Sequence, residues 1–130
     1  MHSSRGCAFG DFDNDGDIDV LVVNLNEPPS LLRNDLTGGN HWIKVKLIGV
    51  KSNRSAIGAR VIARYGGKVQ AQEVLAQSSF YSVDDRRVHF GLGQERTVDL
   101  EIRWPSGVKD LLSNVKVDRI ITVKEGIGIV

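Results

Sequence analysis

The sequence predicts an all-β fold, built as a sandwich or barrel of short antiparallel strands. Residues 97–104 alternate apolar and polar side chains without interruption, and residues 43–48 do the same. This period of two is typical of strands with one buried face and one solvent-facing side. No window longer than ten residues shows convincing helical periodicity. At 130 residues, the chain has the size of one domain, or of one domain and a fragment.

Turn-forming residues separate the predicted strands. In Tyr65–Lys68, two central glycines can adopt the positive φ angles of a two-residue hairpin. Pro105 ends the strand at 97–104, and residues 111–115 could form one helical turn. The other strands are predicted at residues 18–24, 57–65, 68–75, 87–91 and 118–124, giving seven to ten in all.

The strand at 97–104 also predicts which of its side chains are buried. Leu100, Ile102 and Trp104 share the apolar face, whereas Glu101 lies on the opposite face. We therefore expect a central strand whose apolar face contributes to the core of the main domain.

A domain boundary is predicted near residues 36–41, where Gly38 and Gly39 interrupt the pattern. Residues 1–40 contain an acidic loop and one apolar strand. Residues 41–130 contain a longer series of amphipathic strands, which is enough for a separate hydrophobic core.

Composition and charge narrow the classes of function. Charged residues make up 25% and hydrophobic residues 41%, which is ordinary for a globular protein. The net charge of +1 conceals five aspartates within residues 11–19, and the bases form no long run. We therefore expect no nucleic-acid partner. We also expect no membrane span and no signal peptide in this chain, because no segment is long and apolar enough.

The acidic loop has the spacing of a calcium site. Five aspartates alternate with other residues: Asp11, Asp13, Asp15, Asp17 and Asp19. Calcium takes six to eight oxygen ligands, and a glycine sixth in such a loop, here Gly16, permits the sharp turn. Asp11, Asp13, Asp15 and Asp19 would donate carboxylates, and Asp17 its backbone carbonyl. The alternative is a solvated acidic turn. We do not expect an EF-hand, since Val22 stands where its twelfth-position glutamate would be and the flanks are predicted to be extended.

Two family resemblances appear along the chain. The stretch FGDFDNDGDIDVLV at 9–22 resembles the calcium-binding FG-GAP/VCBS-type repeat of integrin-like β-propellers. The segments IGARV at 57–61, VHFGLG at 88–93 and WPSGV at 104–108 resemble the ASPIC/UnbV domain. The resemblances imply a partial FG-GAP/VCBS-type repeat, like part of a propeller blade, at 1–40 and an ASPIC/UnbV-like β domain at 41–130. They also imply a calcium-dependent interaction module at an extracellular, cell-surface or periplasmic location.

Candidate catalytic groups are better explained as structural residues. Cys7 lies in an apolar run that suits a small buried side chain, and His89 alternates with strand residues. Arg86 and Arg87 directly follow Asp84 and Asp85, so we expect a solvated turn in which these charges compensate one another. Because no nucleophile, base and orienting group can be identified together, we expect that the chain is not an enzyme.

The expected function is a non-enzymatic calcium-binding interaction or adhesion module, whose partner is an unidentified protein or glycan. The alternative is a carbohydrate-binding accessory domain of a secreted protein, with Trp42 as the exposed aromatic candidate for stacking on sugars. A homodimer is a third expectation, because the apolar run Val20–Val23 suits a strand covered on both faces.

Overall fold

A computed structural model describes residues 3–36 and 38–130 of the chain. The described residues form strands, turns and loops, and no helix among them is long and apolar enough to cross a membrane. The strands are β1 (Ser4–Gly10), β2 (Asp19–Asn24), β3 (Ser30–Leu32), β4 (His41–Ile48), β5 (Arg60–Tyr65), β6 (Lys68–Glu73), β7 (Val88–Gly93), β8 (Thr97–Arg103), β9 (Lys109–Lys116), β10 (Arg119–Lys124) and β11 (Gly128–Ile129).

The chain divides into two compact units. The first unit comprises the described residues up to 36 together with residues 75–85, and the second comprises residues 38–74 and 86–130. The sequence placed a single boundary near residue 40. The structure adds the segment 75–85 to the N-terminal unit, so the chain crosses between the units three times.

The first unit is built on a three-stranded antiparallel sheet in the order β1-β2-β3. Its central strand pairs Leu21 with Ala8 on one side and with Leu31 on the other, so these side chains share one face. Leu21 and Leu31 are both exposed. Two residues of the segment 75–85 bind the backbone of Phe9 in β1. The Asp85 N–H donates to the Phe9 carbonyl, and the Asp84 carboxylate accepts the Phe9 N–H.

The second unit is a β-sandwich of two four-stranded sheets, ordered β11-β10-β4-β7 and β6-β5-β8-β9. Strands β4 and β10 run parallel, whereas every other recorded pair in these two sheets is antiparallel. Apolar side chains from both sheets form one buried core, among them Ile43, Val61, Phe90 and Ile102. The prediction of an all-β fold is confirmed, and the architecture is a sandwich and not a barrel.

The predicted orientation of the strand at 97–104 is confirmed. β8 is an inner strand of its sheet, and Leu100, Ile102 and Trp104 are all buried. The hairpin prediction is also confirmed, because Tyr65 pairs with Lys68 at the end of β5 and β6. The possible helical turn at 111–115 is wrong: these residues belong to β9, which pairs with β8 along its length.

Candidate functional site

The acidic loop connects β1 to β2 within the first unit. Gly10 and Asp19 form the last antiparallel pair, so the two ends of the loop are held side by side. Within the loop, Asn14 has a φ of 62° and Gly16 a φ of 101°. Glycine adopts this region freely, and asparagine is among the few other residues that tolerate it. The sequence therefore folds here into a turn that reverses the chain between β1 and β2.

Three carboxylates of the loop converge. One ligand atom each from Asp11, Asp13 and Asp15 lies within 4.8 Å of the other two. Asp11 is buried, whereas Asp13 and Asp15 are exposed. At such separations two like charges repel by about 1 kcal/mol in water and by roughly four times as much near a protein surface. A cation at the point where the three carboxylates meet would relieve this repulsion.

Asp11 also organises the loop. Its side chain is 1% exposed. Its two carboxylate oxygens accept hydrogen bonds from the backbone N–H groups of Asp15, at 3.1 Å, and Gly16, at 3.0 Å. Because the carboxylate sits inside the turn that it stabilises, Asp11 has a structural role in addition to its proposed ligand role.

The structure does not bring Asp17 or Asp19 into the group of three. Asp19 is 2% exposed, and its two oxygens accept the N–H groups of Phe12 and Asn34, each at 2.9 Å. It therefore ties the start of the loop to the segment after β3. A carboxylate retains further lone pairs after accepting two such bonds. The ligand roles of Asp17 and Asp19 stay predictions.

Other polar residues make hydrogen bonds to distant parts of the chain. The Nδ1 atom of His41 lies 2.7 Å from a carboxylate oxygen of Asp118, which directly precedes β10. The carboxylate of Asp84 accepts the backbone N–H of Phe9 at 2.8 Å. Cys7 is partly buried in β1. The expectation that Cys7 and Asp84 are not catalytic stays a prediction.

One aromatic pair lies on the outer side of the sandwich. The rings of Trp42 and His89 stack with their centres 6.2 Å apart and their planes 17° from parallel. Trp42 occupies β4 and His89 occupies β7, and both are partly exposed. A flat aromatic surface of this kind can support a sugar ring.

A buried carboxylate that the sequence gave no reason to select lies after β10. Glu125 is 4% exposed, and one of its oxygens accepts three backbone N–H groups, from Val50, Lys51 and Ser52, at 2.6–2.8 Å. Its other oxygen accepts the hydroxyl groups of Ser52 and Ser106. This set of donors fixes the loop that follows β4.

The pKa of Glu125 reflects two opposing influences. Burial is the largest single cause and acts to raise the pKa. The hydrogen bonds from Ser106, Ser52 and Val50 together outweigh it and lower the pKa to about 2. The carboxylate is therefore charged at neutral pH, and its charge is stabilised by donors from distant parts of the chain.

Comparison with known protein families gives a match in the C-terminal part of the chain. Residues 49–129 match the profile of a family described as ASPIC and UnbV. This match lies in the second unit apart from residues 75–85, and it does not reach the acidic loop.

Curated relatives share part of their length with the chain. Cartilage acidic protein 1 of Xenopus tropicalis is 32% identical over 107 residues, and the proteins of the same name in Mus musculus and Homo sapiens are each 30% identical. In each case the alignment covers 78% of this chain and 16% of the relative. The chain thus spans about a sixth of the length of these curated relatives.

Proposed function

The chain belongs to the ASPIC and UnbV family, and from this premise we propose that it is a non-enzymatic, calcium-binding interaction module that acts outside cells. The observation that carries the calcium part of the proposal is the convergence of Asp11, Asp13 and Asp15 to within 4.8 Å. The extracellular location is supported by the relatives, which are named for cartilage.

The donor set suits calcium. All three converging groups are carboxylates, and Ca²⁺ prefers six to eight oxygen ligands in a flexible arrangement. Asp11, Asp13 and Asp15 would supply at least three oxygens, and more where a carboxylate binds the ion through both of its oxygens. The Asp17 carbonyl, the Asp19 carboxylate and water would complete the shell. Mg²⁺ fits less well, because it keeps most of its water and demands octahedral geometry.

The bound cation would neutralise the carboxylates and stabilise the turn between β1 and β2. Extracellular calcium modules have dissociation constants of about 10⁻⁴–10⁻³ M, so occupancy follows the calcium concentration around the protein. In this proposal, calcium binding to the loop stabilises the fold of the first unit. The partner binds to the surface of the protein.

A calcium titration tests the metal. A ligand that binds only the folded state adds about 2.7 kcal/mol of stability at a hundredfold excess over its dissociation constant. We expect calcium to raise the melting temperature of the wild type by several degrees and isothermal calorimetry to show binding. Asp13→Ala should abolish both effects and leave stability in chelator nearly unchanged, since Asp13 is exposed.

The matched control is Asp35→Ala, which removes an exposed aspartate of the first unit that is paired with Arg33 and lies outside the group of three. This control should keep the full calcium response. If the wild type shows no calorimetric binding and no change in melting temperature, the calcium assignment is wrong.

A capture experiment tests the interaction role. We expect a partner to be recovered by the immobilised chain in calcium and to be lost in chelator. Equal recovery of the partner in calcium and in chelator would show that the interaction does not depend on the calcium site.

The stacked pair of Trp42 and His89 supports a second candidate, a carbohydrate-binding accessory domain. Aromatic faces contribute stacking area to ligand sites. Glycan-array binding that is lost in Trp42→Ala would favour this candidate, whereas an array without signal would reject it.

A further inference from the structure

A cleft of about 340 Å³ opens in the second unit beside the end of β4. Four of the residues that line it are cationic, and none is acidic: Lys46, Leu47, Ile48, Arg54, Ser55, Arg86 and Arg87. Its volume lies in the range of small-molecule sites, about 300–1,000 Å³. The cleft shares no residue with the acidic loop.

The fold collects these cations from three separate parts of the chain. β4 and β7 are antiparallel, and Val45 lies opposite Val88. Arg86 and Arg87 come directly before β7, so they line the cleft together with Lys46 at this end of the two strands. Lys46 is exposed on the outer side of its strand, whereas its neighbour Leu47 points into the core.

Arg54 reaches the cleft from a loop whose backbone is held in place. The Gly49 N–H donates to the Arg54 carbonyl at 3.2 Å. The side chain of Asn53 binds both the N–H and the carbonyl of Ile57. Glu125 accepts three consecutive N–H groups just before them. A loop that is fixed in advance loses little conformational entropy when a ligand binds, so Arg54 and Ser55 are well placed for recognition.

Three of the four cations of the cleft, Lys46, Arg54 and Arg86, differ from other arginines of the chain in their pairing. Arg64 and Arg103 both form ion pairs with Glu101, and Arg33 forms one with Asp35. No ion pair joins Lys46, Arg54 or Arg86 to a carboxylate within the part of the chain that the structure describes.

Guanidinium groups bind the oxygens of sulfate, phosphate and carboxylate in a fork-like, charge-assisted geometry. Several such groups around one cleft favour a ligand with more than one negative oxygen, since a single carboxylate would satisfy only one of them. The Ser55 hydroxyl adds a neutral hydrogen-bond donor on the same wall.

We propose that the cleft bounded by Lys46, Arg54, Arg86 and Arg87 binds a polyanionic ligand through clustered oxyanion groups of the sulfate or phosphate class. This proposal goes beyond the proposed calcium-dependent function and does not depend on it, because no residue of the cleft lies in the first unit. The source of the oxyanion, a sulfated glycan or a phosphorylated ligand, is decided by the experiment.

The test uses the full chain in isothermal calorimetry with three probes: a heparin-derived hexasaccharide, the same hexasaccharide after desulfation, and inorganic tripolyphosphate. We expect binding to the sulfated sugar, to tripolyphosphate or to both, and none to the desulfated sugar. The double variant Arg54→Ala/Arg86→Ala should weaken binding about tenfold or more, because charge-assisted hydrogen bonds are the strong ones. The lysine counterpart, Arg54→Lys/Arg86→Lys, should recover part of the loss.

The matched control is Lys109→Ala/Lys116→Ala, which removes two exposed charges from β9, away from the cleft. This control should change the affinity little. The cleft variant should also lower the slope of log affinity against log salt concentration by about one for each cation removed. Equal losses in the two double variants would show unspecific charge attraction and overturn the proposal. Absence of binding to both charged probes would overturn it as well.

Discussion

Truncation of Ile102 is the sharpest test of the sandwich core. Ile102 is fully buried in β8, where it pairs with Val61 of β5 on one side and Asp110 of β9 on the other. Ile102→Ala removes three carbon atoms from a site that is enclosed on both sides by strands. A buried isoleucine or leucine truncated to alanine costs about 2–5 kcal/mol, and a site held between two paired strands has little freedom to collapse.

The expected loss is large compared with the stability of the domain. Domains of this size unfold with a free energy of about 5–15 kcal/mol. At about 2.1 cal/mol/K of unfolding entropy per residue, a loss of 2–5 kcal/mol in a unit of this size lowers the melting temperature by roughly 10–30 °C. The assay is urea denaturation followed by tryptophan fluorescence, since Trp104 lies in the same core.

Two control variants on the same strand make the test specific. Ile102→Val keeps most of the side chain and should cost about 0.5–1.5 kcal/mol. Glu101→Ala acts on the opposite face, where the carboxylate pairs with Arg103 and Arg64, and these arginines hold the pKa of Glu101 below its usual value. It should destabilise much less than Ile102→Ala. Equal losses for Glu101→Ala and Ile102→Ala would refute the facing assigned to β8.

The remaining predictions concern acid stability and self-association. The folded pKa of Glu125 lies below its ordinary value of 4.5, so its contribution to the free energy of unfolding is complete above that pH and is lost as the pH falls toward 2. Glu125→Gln should flatten this part of the pH–stability curve in urea titrations, and an unchanged curve would contradict the role given to the carboxylate. Leu21 and Val23 are exposed on β2, so we expect a dimer by light scattering at micromolar concentration. A mass near 14.3 kDa would reject it, and a dimer that survives Leu21→Lys would place the interface away from this face of β2.

Local patterns predicted the strands whose two faces differ in environment. The run TVDLEIRW shows its orientation because every second side chain meets the core, as the burial of Leu100 and Ile102 confirms. β9 was missed for the opposite reason. Its sequence KDLLSNVK does not alternate: Leu111 lies opposite Glu101 and is 74% exposed, and a register shift opposite Val98 and Leu100 separates Leu112 from Val115. A bulge of this kind moves side chains between faces and hides the strand from a period-two search.

Features that depend on pairing between distant segments could not be predicted. The parallel pairing of β4 with β10 joins residues more than seventy positions apart, and no local pattern specifies it. The same limit applies to Glu125, whose donors lie 73–75 residues away. The basic cleft is also a product of the fold, because Lys46, Arg54 and Arg86 show no clustering in the sequence.

Buried carboxylates and exposed carboxylates have different roles in this chain, and the difference determines which substitutions are informative. Asp11, Asp19 and Glu125 are buried, and each accepts backbone N–H groups that hold a loop in place. Substituting such a group leaves buried N–H donors without a partner, which costs about 1–3 kcal/mol for each donor even when no metal is present. A calcium effect lost in Asp11→Ala would therefore combine a folding defect with a ligand defect.

Asp13 and Asp15 are exposed, so their substitution leaves the hydrogen bonds from Asp15 and Gly16 to Asp11 intact. In chelator, Asp13→Ala should unfold at nearly the wild-type temperature, and removing one of three mutually repelling charges should even stabilise the empty loop slightly. In calcium, the same variant should lose the stabilisation that the wild type gains. A variant that is equally weakened in both conditions would show that Asp13 supports the loop itself, and the cation site would then have to be assigned to other groups.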